Sequence, residues 1–474
     1  MKRSRLFLLL VVILSIAHRF YFQFFLPVFN IDEISLGNNI KYSSFTELLY
    51  PLKDYQSAPP LYLLLQKLLI NILPFKFWIN IKILSFLASS ISVILFYRLL
   101  NKFNFFLALF LLLIFCFNPY IVYNSLTLKQ YGIDLVGILI LLLSINKTYF
   151  DKWSWLFFVI WCLMSNVGLF GCAGYLIFIF FKEYLQNTTS NVWTFIKSKL
   201  LLFIAPLPYL IYFLWYINQP GANELKRFML DYWKDSFIPL DQSIFSYIPR
   251  HLHEIWISFF SAYEIWGIVL MLISIGFLYG YYKKMDLKYR DEIILMFSII
   301  GVHLVLNVLQ MYPLSDRLFL YMTPPFLMML GSSIDQILYK KKHQTKKLVL
   351  IPISCLTLFL YYTYSDYKNN DVRSLYNFFD SINTSKAILV TDRANDYISK
   401  TNEFTDNAFI NNTKFNTDDF TAWGNYTYLV SKVHTKLKPR KTSRENMAVE
   451  KLLQQQKIKL IKRVAGYNIY ITHH

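Results

Sequence analysis

"MKRSRLFLLLVVILSIAHRFYFQFFLP", Met1 to Pro27, decides the fold. Lys2, Arg3 and Arg5 precede a long apolar stretch. A secretory signal also begins with a basic start and an apolar core, but it ends at a small-residue cleavage site. None follows here, and the chain runs on into "YFQFFLP". The stretch therefore reads as an uncleaved first transmembrane helix, and its character recurs along the chain. Hydrophobic residues make up 55% and charged residues 16%, against about 25% charged in soluble domains. The apolar residues come in runs of roughly 20, the length a helix needs to cross the hydrocarbon core.

By that criterion about eleven spans are expected. They cover residues 6–26, 78–100, 104–124, 130–146, 153–167, 169–182, 199–217, 263–282, 291–311, 318–338 and 347–363. Positive charge orients them. With the N-terminus cytoplasmic, an alternating path places Arg98 and Lys102 inside, then Lys147 and Lys152, then Lys182, Lys197 and Lys199. Lys283, Lys284, Lys288 and Arg290 follow, and finally Lys340, Lys341, Lys342, Lys346 and Lys347. Each expected cytoplasmic loop is basic, as the positive-inside rule requires. The net charge of +19 is thus topogenic, and nucleic acid is not expected as a partner. Cys116, Cys162, Cys172 and Cys355 all fall in apolar runs and read as small core hydrophobes.

After residue 363 the composition shifts to Asn, Asp, Thr and Lys. "KAILVTD" (386–392) reads as a strand, and "IKLIKRVAGYNIYITHH" as two strands joined at Ala465-Gly466. "ENMAVEKLLQQQKI" reads as an amphipathic helix. The expected organisation is an all-α polytopic membrane domain, 1–363, followed by a small extracytoplasmic α/β domain, 364–474. No internal repeat, phosphate-binding loop or metal-finger spacing is present. His251 and His253 in "RHLHEIW" are two apart, on different helix faces, and no metal or other cofactor is expected.

Most acidic and polar groups lie at the outer ends of the spans, which points to a site at the outer face of the membrane. The first outward loop carries Asp32, Glu33, Glu47, Lys53 and Asp54. It continues into "QSAPPLYLLLQKLL", where Pro59-Pro60 suits a helix start. The following helix is too short to cross comfortably and, flanked by Pro74, is expected either to lie along the interface or to re-enter, near the carboxylate pair. Lys129 in "NSLTLKQYGIDLVG" and Arg317 in "MYPLSDRLFLYMTPP" stand at the outer starts of later spans. They are candidates for holding an anion such as phosphate, with Arg19 and His18 near the outer part of the first span. The alternative for Lys129 and Arg317 is simple snorkelling. In "LDYWKDSFIPL", Tyr232 or Trp233 is either part of an interfacial aromatic belt or a wall of a sugar cleft.

The paired "DE", the "APPLYLLL" helix, "KQY" and "YPLSDRLFLYMTPP", in this order, resemble polyprenyl-phosphate-dependent glycosyltransferases of the GT-C fold. More narrowly they resemble bacterial family 39 relatives of protein O-mannosyltransferases and lipid A aminoarabinose transferases. The resemblance covers residues 6 to 363. It implies a GT-C-like bundle and transfer of a sugar from a polyprenyl monophosphate to an acceptor hydroxyl outside the cytoplasm. On this chain it implies Asp32 as general base, Glu33 as its orienting partner, and Lys129, Arg317 and Arg19 on the lipid phosphate. Pro59, Pro60, Tyr62, Tyr131 and Trp233 would line the substrate cleft. The implied acceptor is a cell-envelope glycan, a lipid or a protein, and the setting a bacterial inner membrane with the site in the periplasm. Two positions depart from the pattern: Thr127 stands where many relatives carry an acid, and Ala58 where many carry His. The rival readings are a lipid-linked glycan transporter or flippase, which needs a polar path through the spans (Asn166, His303, Asn307), and a non-catalytic membrane scaffold.

Overall fold

The computed structural model describes residues 2–25, 31–145, 147–185, 192–239, 290–315, 317–339, 388–390, 412–414, 428–432, 452–455, 458–464 and 467–472. The chain divides into two compact units. One comprises residues 1–25 and 39–363, the other 26–38 and 364–474. The expected spans at 263–282 and 347–363, His251, His253 and Cys355 lie outside the described residues, as does most of the "ENMAVEKLLQQQKI" segment.

The first unit is helical. Its helices are α1 (Lys2–Phe24), α3 (Pro60–Ile72), α4 (Phe77–Leu99), α5 (Phe105–Phe117), α6 (Pro119–Leu126), α7 (Tyr131–Ser144), α8 (Thr148–Met164) and α9 (Val167–Leu185). They are followed by α10 (Val192–Ser198), α11 (Leu200–Ile204), α12 (Leu207–Tyr216), α13 (Ala222–Tyr232), α14 (Arg290–Val308) and α15 (Thr323–Tyr339). Among the described residues three helices are long and apolar enough to cross a membrane, or up to five if each bent pair is one span. Two of the expected spans lie outside the described residues, and several others fold as apolar helices of 10–17 residues or as bent pairs. The run 104–124 folds as α5 and α6, bent by 50°. The run 199–217 belongs to a pair bent by 74°, Val192–Ser198 with Leu200–Tyr216. The run 318–338 opens with a 3₁₀ segment, Arg317–Met322, before α15.

The outer surface of α1 is apolar: Leu6, Phe7, Leu10, Ile13 and Leu14 are exposed. In water such a stripe is a liability, and in lipid it is the correct solvent. The opposite face buries Val11, Val12, Ser15, Arg19 and Phe22. At Asn118-Pro119 the break between α5 and α6 follows from chemistry. Pro119 has no N–H to return to the Phe115 carbonyl. The Asn118 side chain accepts from the N–H groups of Tyr120 and Ile121 at 2.9 and 3.3 Å, so the Cys116 carbonyl also loses its helical donor. Arg19 repairs both losses: Nη1 donates to Cys116 O at 2.7 Å and Nη2 to Phe115 O at 3.3 Å. Its Nε donates to Ser89 Oγ at 2.9 Å, and Nη1 also meets Ser15 Oγ.

Helices α4 and α7 approach closely because Gly132 permits it. A Cβ there would stand 2.8 Å from the Ser125 carbonyl oxygen and 3.2 Å from Ala88 Cβ. Lys102 pairs with Glu292 at 2.7 Å and Lys182 with Asp291 at 2.8 Å. The carboxylates occupy the first turn of α14, where the helix dipole also favours them.

The second unit holds a five-stranded sheet of order β2-β1-β3-β5-β4. Its strands are β1 (Ile388–Val390), β2 (Asn412–Lys414), β3 (Tyr428–Lys432), β4 (Ile458–Val464) and β5 (Tyr467–Thr472). β1 runs parallel to β2 and β3, whereas β5 runs antiparallel to β3 and β4. β4 and β5 are the two pieces flanking Ala465-Gly466, with a register shift between Leu460 and Lys462. Ile458, Ile469 and Tyr470 are buried. The chain is thus an α-helical membrane protein with a small α/β unit.

Candidate functional site

Asp32 and Glu33 lie in the first turn of α2 (Ile31–Tyr42), where the dipole favours carboxylates. Asp32 is half-buried and Glu33 is 1% exposed. Both belong to the second unit; Lys129, Arg317, Arg19, Tyr131, Pro59, Pro60, Tyr62 and Trp233 belong to the first.

Within the first unit, Lys129 sits between α6 and α7. Its Nζ donates to Gln56 Oε1 at 2.7 Å. Gln56 is buried and donates to the Asp54 carbonyl at 3.3 Å. Just before it, Asp54 and Tyr55 have φ of 57° and 52°, the left-handed region that side-chain-bearing residues avoid at a cost of about 1–3 kcal/mol each. The strained pair is held in place: the Tyr55 ring stacks on Phe228 of α13 with centroids 4.3 Å apart. Nothing in "KDYQSAPP" signals Gln56, because its partner lies 73 residues away.

Pro59 is extended and Pro60 opens α3, as expected for the Pro-Pro pair. Tyr62 is fully buried and its hydroxyl accepts from Gln66 Nε2 at 3.1 Å. Lys67 Nζ donates to the carbonyls of Ile40 and Lys41 at 2.9 and 3.0 Å, closing the end of α2. Burial pulls the Lys67 ammonium below the ordinary lysine value, with Glu47 opposing. Ser44 and Glu47 form a reciprocal capping box: Ser44 N–H donates to Glu47 Oε2 at 2.7 Å and Glu47 N–H to Ser44 Oγ at 3.2 Å. The backbone N–H of Ser44, chiefly, holds the Glu47 carboxyl below its usual value.

Arg317 lies over the Trp233 ring, 5.3 Å from its centroid, so the structure pairs two residues singled out separately in sequence. The frame beneath them is tied by Asn307. Its Oδ1 accepts from Ile238 N–H at 2.8 Å, and its Nδ2 donates to the carbonyls of Ser236 at 2.9 Å and Tyr312 at 3.0 Å. Leu314 N–H also donates to Ser236 O at 2.9 Å. One turn below, His303 meets the Tyr321 hydroxyl at 2.7 Å and the Pro313 carbonyl at 3.3 Å. Asn166 accepts from the Tyr209 hydroxyl at 2.8 Å. These are the polar span residues a transport path would use, and all three are engaged by protein partners.

Arg19 does not join this group. Its described bonds all go to protein atoms at the α5–α6 break. Thr127 closes the end of α6: its Oγ1 donates to Tyr123 O at 2.9 Å, and its own carbonyl accepts from Ser85 Oγ at 3.0 Å. Tyr131 is buried at the start of α7. Among the described residues no group of three or more His, Cys, Asp or Glu side chains is placed to hold a metal ion.

No protein-family profile and no curated protein sequence matches the chain. Among solved structures, it superposes on apo ArnT from Cupriavidus metallidurans with a TM-score of 0.36 and 10% identity, over 97% of this chain and 97% of that one. The class defined by the elements themselves is a multi-helix membrane protein with cations fixed on the loops that join its helices.

Proposed function

We propose that the protein is an integral membrane glycosyltransferase of the GT-C type. In this reading it moves a sugar from a polyprenyl-phosphate donor to an acceptor hydroxyl on the periplasmic face of a bacterial inner membrane. The observation that carries the reading is that two cations singled out in the sequence are each held in a defined contact. Gln56 orients the Lys129 ammonium, and the Trp233 face orients the Arg317 guanidinium. A donor that loses its sugar leaves a phosphate monoester whose charge grows as the glycosidic bond breaks. Preorganised cations in a poorly hydrated site stabilise that growth without reorganising.

The acceptor hydroxyl must lose a proton as its oxygen attacks the anomeric carbon. A carboxylate performs this step, and Asp32 is assigned to it on the sequence pattern, with Glu33 as its orienting neighbour. Single displacement of this kind inverts the anomeric centre. Pro59, Pro60, Tyr62 and Tyr131 supply rigid walls for the donor, and membrane lipids surround it. The acceptor class is a glycan, lipid or protein hydroxyl.

The test is transfer of radiolabelled sugar from extracted polyprenyl-phosphate sugars, in membranes carrying wild type, Lys129→Gln, Arg317→Gln or Asp32→Asn at equal protein levels. Loss in all three variants supports the reading. Equal transfer by wild type and Lys129→Gln removes the phosphate site. A reporter fused after His474 that is active only in the cytoplasm reverses the topology and sinks the periplasmic assignment.

A further inference from the structure

A second group of polar side chains, near the start of α7, is left unused by the phosphate reading. Asp134 stands in the first turn of α7 and is 2% exposed. Its carboxylate takes a short hydrogen bond from Ser165 Oγ, an oxygen that also accepts from Val167 N–H at 3.0 Å. Among the described residues no ion pair reaches Asp134. A carboxyl group in an apolar bundle without a cation marks a functional position more often than a packing one.

Gly137, one turn further along α7, lies against the Trp161 indole: a Cβ at that position would fall 2.2 Å from Nε1. Asp134 and Gly137, three apart, share a face of α7. Trp161 and Ser165, four apart at the end of α8, meet that face. The Trp161 N–H is buried without a partner, and so is the Tyr312 hydroxyl. Gly171 lies against the same indole, where a Cβ would fall 2.2 Å from Trp161 Cζ3, and the ring of the adjacent Phe170 meets Tyr312 with centroids 4.7 Å apart. Buried polar atoms are almost always satisfied by protein or by a bound molecule. Here an acceptor and two idle donors sit together among aromatic rings.

That combination selects a ligand class. A phosphate is repelled by the Asp134 carboxylate, and an apolar chain leaves the donors idle. A sugar ring fits, because each hydroxyl both donates and accepts and its C–H face packs on aromatic rings. We propose that Asp134, Trp161 and Tyr312 form a subsite for the sugar ring. Asp134 accepts from one ring hydroxyl, and the Tyr312 O–H and Trp161 N–H donate to others. The proposal rests on the glycosyltransferase reading and names the residues that recognise the sugar while Lys129 and Arg317 hold the phosphate.

The experiment uses the full chain purified in detergent and reads its thermal unfolding midpoint. Two probes are added separately: a polyprenyl monophosphate without sugar, and a panel of free hexoses and pentoses at about 100 mM, since ligand bound to the native state raises the midpoint. At least one free sugar is expected to raise the wild-type midpoint by about 2 °C. Tyr312→Phe removes only an idle hydroxyl and folds normally. It loses the sugar response and keeps the polyprenyl monophosphate response, as does Asp134→Asn; Lys129→Gln shows the reverse. A wild type that responds to polyprenyl monophosphate and to no sugar overturns the subsite and leaves the phosphate site standing. An undiminished sugar response in Tyr312→Phe overturns it as well. A sugar response without any lipid response supports the subsite and sinks the phosphate site, and silence toward both probes sinks both.

Discussion

Arg19 and Arg317 are the same side chain in the same helical unit, set in different surroundings. Arg19 is fully buried and spends its described donors on two backbone carbonyls and two serine hydroxyls. Arg317 is half-buried and lies on an aromatic face beside the loop 309–315. The difference lies in the neighbours. Pro119 and Asn118 strip two carbonyls of their helical donors, and a guanidinium, with five donors in a rigid fork, is the side chain that can serve both. At Arg317 the aromatic face of Trp233 attracts the cation. The surroundings of a cation in a membrane protein therefore depend on which groups nearby need donors.

The largest effect expected from this contrast is on stability. Arg19→Leu removes the described donor of the Phe115 carbonyl and leaves the Cys116 carbonyl only the long bond from Ser15 Oγ at 3.4 Å; it is expected to cost about 3 kcal/mol, read as a lower thermal midpoint in detergent. Arg19→Lys restores little of it, since an ammonium does not reproduce the planar fork. A midpoint unchanged in Arg19→Leu would break the comparison. Lys129→Gln, by contrast, is expected to leave the midpoint near wild type. It should lower transfer by about 10²–10³-fold, the effect of removing one preorganised donor from developing charge.

Asn307→Ala is expected to cost about 1–3 kcal/mol by removing the described donor to the Tyr312 carbonyl and the acceptor of the Ile238 N–H, while the Ser236 carbonyl keeps Leu314 N–H. Hydrogen exchange at the Ile238 amide reads this directly. Asn307→Asp should be no better, because a carboxylate cannot donate to the Ser236 and Tyr312 carbonyls; protection of Ile238 in both variants would show the clamp to be dispensable. Trp233→Leu removes the face under Arg317, worth about 0.5–1 kcal/mol, and should weaken polyprenyl monophosphate binding a few-fold with little change in fold. The smallest effect is at the capping box. The folded-state pKa of Glu47 is depressed, so its contribution is present above the unfolded carboxyl value and is lost as pH falls through the folded one. Glu47→Gln should therefore lie slightly below wild type at neutral pH and converge with it in acid.

Much of the chain was legible from one-dimensional patterns. Apolar runs mark helices because each backbone polar group in lipid must find its partner within the segment. "IKLIKRV" and "YNIYIT" mark paired strands because alternation and a Gly-containing joint suit a hairpin. The Pro-Pro helix start was also visible from a local sequence feature. Run length misled where it met Asn118-Pro119, since hydropathy counts apolar residues without registering that a proline cannot donate.

What the sequence by itself determined is the class of solvent and the kinds of element: a chain too apolar for water, divided into helices, with a polar α/β segment after it. What only the tertiary structure decided is the use of each polar side chain. Gln56 finds Lys129 across 73 residues, Arg19 finds Cys116 across 97, and Asn307 finds Ser236 across 71. These pairings follow from which carbonyls and N–H groups the helix breaks leave open after packing. A hydrogen bond acts over about 3 Å, so it is settled by which groups meet in space, and a distance along the chain carries no trace of it.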